Sequence, residues 1–431
     1  MSFNISFVLH STVDVVAYVV LVTLILGIIA LLISRKTNIS YIPLLIIFGI
    51  LAGPVFGIVG RNLALILFEY VRVFGLFIIL FAEGFHLLRS LLIKNFTTIA
   101  ILDTLGLLIT ALLTGFAFSF VFHAPFEVGF LFGAIVSATD PATLIPLFKQ
   151  YRVDRDIETV IVTESIFNDP LGIVLTSVAL VFVIPQASSA QLVENIAKYV
   201  TLYPAAVLYF LYEVGMSLLI GALIAYAGYK SIKKIKLVKS PYVEMLSLAL
   251  AFGGFVVGEV VNASGFLVAT VIGILLGNHD DFFHDNSPEV QSAIRWHMNF
   301  NDSLSTLGTT FIFVLLGASL NLAMLTPEVI LYGSLIAIFI IFVARPVATL
   351  TILPKWNFRK YLFISLEGPR GVVPSALAGV PLALGLQYHN AQMIYWGEII
   401  LSATVITVLI TVIVETTWVP YLRRKLLKDS R

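Results

Sequence analysis

Apolar residues along the chain form about thirteen uninterrupted blocks of roughly 16 to 28 residues, separated by short polar segments. A block of this length can cross the ~30 Å hydrocarbon core of a bilayer as a helix. Strands of a membrane barrel are about half as long and alternate between apolar and polar residues, so the blocks indicate helices. The predicted spans are 13-34, 41-60, 73-88, 96-122, 126-149, 157-184, 204-229, 241-262, 263-278, 297-322, 327-354, 359-386 and 396-418.

Composition agrees with a chain surrounded by membrane lipid. Apolar residues make up 59% of the sequence and charged residues 12%, with a mean hydropathy of +1.00. A soluble domain carries about 25% charged residues. The absence of cysteine excludes disulfides and thiolate metal sites. The first span is too long for a signal-peptide core and no Lys or Arg precedes Arg35, so we expect it to remain in the mature protein.

The basic residues predict the orientation of the chain. If residues 35-40 are cytoplasmic and the spans alternate, 21 of the 26 Lys and Arg residues lie on the cytoplasmic side and 3 on the other side. This bias follows the positive-inside rule. We therefore expect a multi-pass protein of the cell membrane with its N-terminus outside and its C-terminus in the cytoplasm.

The order of the spans predicts one transmembrane domain built from two inverted six-helix repeats. The first repeat covers 13-184 and the second 241-418, with a linking helix at 204-229 and a short basic tail at 419-431. The fifth span of each repeat carries helix breakers, at 139-141 and 368-371. Simple kinks are an alternative, but each break also carries a charge, which favours crossed broken helices at the middle of the membrane.

Charged residues deep inside a span are candidates for function, because each costs at least about 2.5 to 3.5 kcal/mol at the helix centre. A rise of ~1.5 Å per residue places Glu83, Asp169 and Arg370 near the midplane, and Glu164 level with Arg345. The roles of Asp103 and Glu213 stay open. The full set is Glu83, Asp103, Asp140, Glu164, Asp169, Glu213, Arg345, Glu367 and Arg370.

The sixth span concentrates oxygen donors. Ser165 and Asp169 share one helical face, and Glu164 and Asn168 share the adjoining face. A small hard cation prefers carboxylate, hydroxyl and carbonyl oxygens, and Na⁺ is the first choice by analogy with divalent hard cations. The candidate ion-binding residues are Asp169, Ser165, Thr139, Glu83 and Glu164, with Na⁺ held by the first four.

Helix breaks also release backbone groups. Pro141 cannot donate to the carbonyl of Ser137, so we expect that oxygen to be a further ligand. Where the broken helices cross, Asp140 should face positive helix N-termini and Arg370 should face negative C-termini. These two charges are predicted to be structural.

Four motifs in this order resemble the NhaP-type sodium/proton antiporters, the electroneutral branch of the monovalent cation/proton antiporter superfamily. They are the GAIVSATDP run at 133-141, the ESIFND run at 164-169, Ala344-Arg345, and the GPRG run at 368-371. The resemblance implies a homodimer of thirteen-helix protomers, each with a dimerisation layer and a moving core. It also implies that Asp169 binds the ion with Ser165, the Thr139 main chain and Glu83, while Glu164 pairs with Arg345.

A single buried carboxylate must be neutralised by either a proton or a cation, so the two ions should compete for it and be exchanged across the membrane. Asn168 before Asp169 leaves one titrating site, which predicts electroneutral 1:1 exchange of Na⁺ or Li⁺ for H⁺, without a cofactor and with a role in pH homeostasis. The alternatives are a K⁺/H⁺ antiporter, a Na⁺-coupled solute symporter or a channel. An enzyme, a nucleotide or a nucleic-acid partner is not expected, since neither a His-Glu-x-x-His pair nor a Walker A loop is present.

Overall fold

The protein is helical throughout the part of the chain that the computed structural model describes, which is residues 12–37, 39–87, 89–184, 188–235, 241–285 and 287–427. Within these ranges no strand occurs, and the prediction of an all-α fold is confirmed. The basic residues Lys236, Lys239, Lys428 and Arg431, assigned above to the cytoplasmic side, lie outside the described residues.

The first half of the chain forms ten helices. Their bounds are α1 Thr12–Thr37, α2 Tyr41–Ile50, α3 Arg61–His86, α4 Arg89–Ile101, α5 Leu107–Phe122, α6 Phe126–Ile135, α7 Ile145–Tyr151, α8 Arg155–Val183, α9 Ser188–Ala197 and α10 Leu202–Ile235. π-helical turns continue α2 over Leu51–Val55 and join α4 to α5 over Leu102–Gly106, and a 3-10 turn covers Pro141–Thr143.

The second half forms ten more helices. Their bounds are α11 Tyr242–Val260, α12 Gly265–Gly277, α13 His279–Phe283, α14 Pro288–Ser319, α15 Pro327–Phe339, α16 Arg345–Thr349, α17 Phe358–Ser365, α18 Val372–Leu377, α19 Val380–Gln387 and α20 Ala391–Leu426. A π-helical turn over Ile340–Ala344 joins α15 to α16, and 3-10 turns cover Leu322–Met324 and Leu350–Lys355.

The described residues contain nine helices long and apolar enough to cross a membrane, together with four shorter apolar helices. They fall where the apolar blocks were found, while the exact number of crossings stays a prediction. Several helices extend beyond the predicted bounds, and the largest extensions are in α3, which begins at Arg61, α14, which begins at Pro288, and α20, which ends at Leu426. Charged residues interrupt the apolar pattern there without ending the helix, as in α3, where Arg72 pairs with Glu69 at 2.6 Å.

Both predicted helix breaks are present. The first follows the end of α6 at Ile135, and regular structure resumes only at the 3-10 turn that starts with Pro141. The second separates the end of α17 at Ser365 from the start of α18 at Val372. The residues of both breaks are almost completely buried, so their backbone groups must find partners inside the protein.

The long helices pack into two groups, each drawn from both halves of the sequence. The first, which we call the scaffold bundle, contains α1, α2, α3, α10, α11, α12 and α14. The second, which we call the core bundle, contains α5, α6, α8 and α15 to α20. The two bundles meet where α3, α10 and α12 face α8, and where α3 and α14 face α18. The carboxylates singled out in the sequence lie along this boundary and within the core bundle.

Candidate ion-binding site

The two helix breaks cross and are joined through Asp140. Its backbone N–H donates to the Pro369 carbonyl at 2.7 Å. Its carboxylate accepts hydrogen bonds from the N–H groups of Ala142 at 2.9 Å and Val372 at 3.2 Å, which begin the two helical segments that follow the breaks. A Cβ atom at Gly371 would overlap this carboxylate, so the close approach requires glycine. Asp140 thus faces two helix N-termini, where a negative charge is favoured.

Arg370 lies on the side of the crossing where α6 ends. Its Nη1 atom donates to the carbonyls of Ser137 at 3.0 Å and Ala138 at 3.2 Å, which follow the C-terminus of α6. Its side chain is fully buried. The expectation that the Ser137 carbonyl is free to bind an ion is wrong, because a buried guanidinium requires acceptors and takes this one.

Thr139 lies between these charges and is held by three hydrogen bonds from α8. Ser165 Oγ donates to its carbonyl at 2.7 Å. Asn168 Oδ1 accepts from its N–H at 3.1 Å, and Asn168 Nδ2 donates to its hydroxyl at 2.7 Å. The Thr139 carbonyl, the Ser165 hydroxyl and the Asn168 amide therefore form one rigid polar cluster beside Asp169, as their spacing on α8 suggested.

Asp169 lies in the middle of α8, 14 residues after Arg155, and is 3% exposed. Its Oδ1 atom is buried and receives no hydrogen bond from the described part of the chain. Its carboxylate interacts electrostatically with Glu83, Asp140, Asp103 and Arg370. A buried carboxylate oxygen of this kind requires a proton or a cation, because ionised groups away from water are strongly disfavoured.

Glu83 approaches Asp169 from the scaffold bundle. It lies 22 residues after Arg61 on α3, about 33 Å along the helix and one turn before its end, because α3 begins twelve residues earlier than predicted. Its depth in the membrane stays a prediction. Its Oε2 atom is buried and receives no hydrogen bond within the described residues. Glu83 interacts electrostatically with Asp140 and Asp169, so the structure brings it to the same site.

Glu164 and Arg345 form a bidentate ion pair within the core bundle. Arg345 Nη2 lies 2.7 Å from Glu164 Oε2, and Nη1 pairs with Oε1. The side chains are 6% and 1% exposed for arginine and glutamate, respectively. Both oxygens of Glu164 accept hydrogen bonds from the guanidinium. In this structure Glu164 therefore pairs with Arg345 and does not present a free oxygen to an ion. Asp103 interacts electrostatically with both partners.

Two buried glutamates, Glu415 and Glu213, have hydrogen-bond partners that the sequence did not indicate. Glu415 on α20 is 2% exposed and accepts from the N–H of Gly368 at 2.5 Å. It lies close to the predicted end of the last span, where hydropathy does not indicate a functional charge, whereas α20 continues for eleven residues beyond it. Glu213 on α10 accepts from Ser177 on α8 at 2.8 Å, and so connects the two bundles. A charge inside a continuing apolar pattern was the only available signal for Glu415.

The chemistry of the site is that of hard oxygen donors. Among the described residues no group of three or more His, Cys, Asp or Glu side chains could hold a resident metal ion. The site instead offers two carboxylates, a hydroxyl and a carbonyl at the boundary between the bundles, from Asp169, Glu83, Ser165 and Thr139. Such a set suits a small cation that is held temporarily.

Residues 20–425 match the family described as sodium/hydrogen exchanger, transmembrane. Na(+)/H(+) antiporter 1 of Methanocaldococcus jannaschii is 36% identical, over 95% of this chain and 95% of its own. Probable Na(+)/H(+) antiporter 2 of the same organism is 33% identical over 92% of this chain and 93% of its own. The K(+)/H(+) antiporter NhaP of Alkalimonas amylolytica is 28% identical over 85% of this chain and 60% of its own.

The fold is also similar to a solved structure. The sodium proton antiporter MjNhaP1 from Methanocaldococcus jannaschii, solved at pH 8, superposes with a TM-score of 0.82 at 33% identity. The match covers 95% of this chain and 100% of that chain. The resemblance seen in the four motifs is therefore confirmed over the whole transmembrane region, and the chain belongs to the sodium/hydrogen exchanger family of membrane proteins.

Proposed function

We propose that the chain is a secondary antiporter that exchanges Na⁺ or Li⁺ for H⁺ at Asp169, one ion for one proton. One observation carries the proposal: Asp169 places a buried carboxylate oxygen without a hydrogen-bond partner among the described residues beside the cluster of Ser165 and Thr139. Glu83 faces it from the other bundle. The names of the similar antiporters support the same activity.

Coupling follows from the free energy of the buried charge. An ionised Asp169 without a counter-charge is strongly disfavoured in a low-dielectric interior. Binding either a proton or a cation neutralises it, so the two substrates compete for one oxygen set. A movement of the core bundle against the scaffold bundle then carries the neutralised site between the two sides, while the empty charged site stays where it is. Asn168 keeps Thr139 in place without adding a second titrating group.

The proposed setting is the cell membrane, with the N-terminus outside and the C-terminus in the cytoplasm. The strong bias of Lys and Arg toward one side of the predicted spans supports this orientation. We also propose a homodimer, two inverted repeats at 13-184 and 241-418, and a role in pH homeostasis without a cofactor. These points rest on the motifs and on the order of the spans.

The Asp169→Asn variant tests the site. The amide resembles the neutral carboxylic acid, so the protein should fold but lose exchange. Purified protein would be reconstituted in liposomes, and a trapped pH-sensitive dye would report proton movement on addition of NaCl, LiCl or KCl. Glu328→Gln, which removes an exposed acid at the start of α15, is the matched control and should exchange like wild type. Exchange by Asp169→Asn at the wild-type rate would refute the proposal.

The same assay separates the competing functions. A response to KCl that exceeds the response to NaCl would identify a K⁺/H⁺ antiporter, a name that two more distant relatives carry. Na⁺ entry without proton movement would indicate a channel. Rates that change with an imposed membrane potential would contradict 1:1 exchange.

A further inference from the structure

Two buried side chains of α20 contact the second helix break directly. Thr411 and Glu415 are four residues apart and therefore lie on one face of the helix. Their residues are 0% and 2% exposed, respectively. Thr411 Oγ1 accepts from the backbone N–H of Arg370 at 3.1 Å, and Glu415 Oε2 accepts from that of Gly368 at 2.5 Å. Both N–H groups lie in the break, where buried backbone donors need partners other than a regular helix.

The break that these side chains hold leads directly to the ion-binding site. Arg370 extends from it to the carbonyls of Ser137 and Ala138 in the first break. The next residue along the chain, Thr139, is the one that Ser165 and Asn168 fix beside Asp169. A shift of α20 or of the second break would therefore be passed through Arg370 to the ligand carbonyl. A displacement of about 1 Å is large for a site whose donors must meet a small ion.

Glu415 also lies close to the two buried arginines of the core bundle. Its carboxylate interacts electrostatically with Arg370 and Arg345, the two buried arginines. A fully buried glutamate is unfavourable unless it is hydrogen-bonded and paired. A neutral residue of similar size would fill the same space, so packing alone does not account for an acid at this position.

We infer that Glu415 and Thr411 are positioning residues for the cation site, which act by fixing the backbone of the second break and, through Arg370, the Thr139 carbonyl. The inference rests on the proposed function at Asp169. It separates two contributions of Glu415, the hydrogen bond to Gly368 and the electrostatic interaction with Arg370 and Arg345. The hydrogen bond sets the geometry of the site, so a neutral side chain that can still accept it should preserve most of the geometry.

The test compares Glu415→Gln, Glu415→Ala, Thr411→Ser and Thr411→Val in the full-length protein. Glutamine and serine keep an acceptor for the backbone N–H, whereas alanine and valine do not. The control is Thr404→Val on the same helix: Thr404 is equally buried, and its hydroxyl has no hydrogen-bond partner among the described residues. Two quantities are measured for each variant, the apparent KM for Na⁺ in liposomes and the Na⁺ concentration that gives half of the cation-induced rise in melting temperature.

Glu415→Ala should raise both quantities about tenfold or more, because the buried N–H of Gly368 loses its hydrogen-bond acceptor. Glu415→Gln and Thr411→Ser should stay within about threefold of wild type, and Thr411→Val should lie between these and Glu415→Ala. Thr404→Val should match wild type. If Glu415→Ala does not fold, the Na⁺ midpoints of Thr411→Val and Glu415→Gln test the inference in its place.

Unchanged midpoints in Glu415→Ala, or in Thr411→Val where the alanine variant does not fold, would overturn the inference. Equal impairment of folded glutamine and alanine variants would also overturn it, because the acceptor would then be irrelevant. Failure of the proposed function is distinguishable from these results. It would appear as Na⁺-driven exchange that survives in Asp169→Asn, whatever the Glu415 variants do.

Discussion

Removing one partner of the buried ion pair between Glu164 and Arg345 should destabilise the protein strongly. Arg345→Met leaves the Glu164 carboxylate, whose side chain is 1% exposed, without its bidentate partner. Two unit charges about 4 Å apart interact with about 4 kcal/mol at an effective dielectric constant of 20. An uncompensated charge in a protein interior costs about 3 to 5 kcal/mol. We therefore expect Arg345→Met to lose about 3 to 5 kcal/mol of stability.

The double variant Glu164→Leu/Arg345→Met should recover most of this loss. It removes both charges together, and apolar replacement of a buried pair is often neutral or stabilising by about 1 to 4 kcal/mol. The assay is the midpoint of heating for purified protein in detergent, followed by size-exclusion chromatography of the fraction that remains folded. The melting midpoint of the double variant should lie close to that of wild type, and the midpoint of each single variant should lie well below both.

An exposed ion pair between α4 and α8 provides the control. Lys94 pairs with Asp156, and these side chains are 60% and 47% exposed. Lys94→Met should change stability by only about 0 to 1 kcal/mol, because water screens this pair. The reasoning fails if Lys94→Met and Arg345→Met lower the midpoint equally, or if the double variant is less stable than both single variants.

Two further predictions concern other ion pairs. Arg61 on α3 contacts Glu398 on α20 at 2.5 Å, across the boundary between the bundles. Arg61→Ala should loosen this end of the boundary and expose the buried position 402. In a Ser402→Cys background, where the chain has no other cysteine, the thiol should then react faster with a membrane-impermeant maleimide. An unchanged reaction rate would contradict this prediction. Asp154 lies just before α8, where burial would raise the pKa of its carboxyl. The hydrogen bond from Lys360 at 2.7 Å, the charge of Lys360 and the N–H groups of Asp156 and Ile157 together outweigh burial and keep the pKa below its usual value. Its stabilisation is complete above the unfolded pKa of about 3.9 and is lost as pH falls through the lower native pKa. Asp154→Asn should therefore lower the melting midpoint at pH 7, and the difference from wild type should begin to shrink below pH ~4 and vanish once the pH is below the native pKa; a difference that grows with acidity would refute the assignment.

Much of the site could be predicted because its central residues are neighbours along one helix. Ser165, Asn168 and Asp169 follow from a helical period that places residues three and four apart on neighbouring faces. The breaks at Pro141 and Pro369 were also predictable, since proline removes a donor wherever it stands. The level pairing of Glu164 with Arg345 required only the helical rise and correct span directions. These inferences use local rules that do not depend on which helices touch.

Helix ends and long-range partners required the structure. α3 begins at Arg61 and α20 ends at Leu426, because charges that pair or reach the surface do not terminate a helix that hydropathy alone would end. The role of Glu415 stayed hidden for the same reason. Neither could the sequence indicate that the Ser137 carbonyl is taken by Arg370, 233 positions away.

The sequence by itself determined that the chain is a bundle of membrane helices with two breaks and one central carboxylate on the sixth span. Apolar length, proline and helical period act within about one turn or one span, so they can be read in one dimension. Only the tertiary structure decided that α20 supports the second break, that Glu83 reaches Asp169 from near the end of α3, and that Arg61 meets Glu398 across 337 positions. Those contacts depend on how whole helices pack, which is set by the sum of many weak interactions over their surfaces and not by any local pattern.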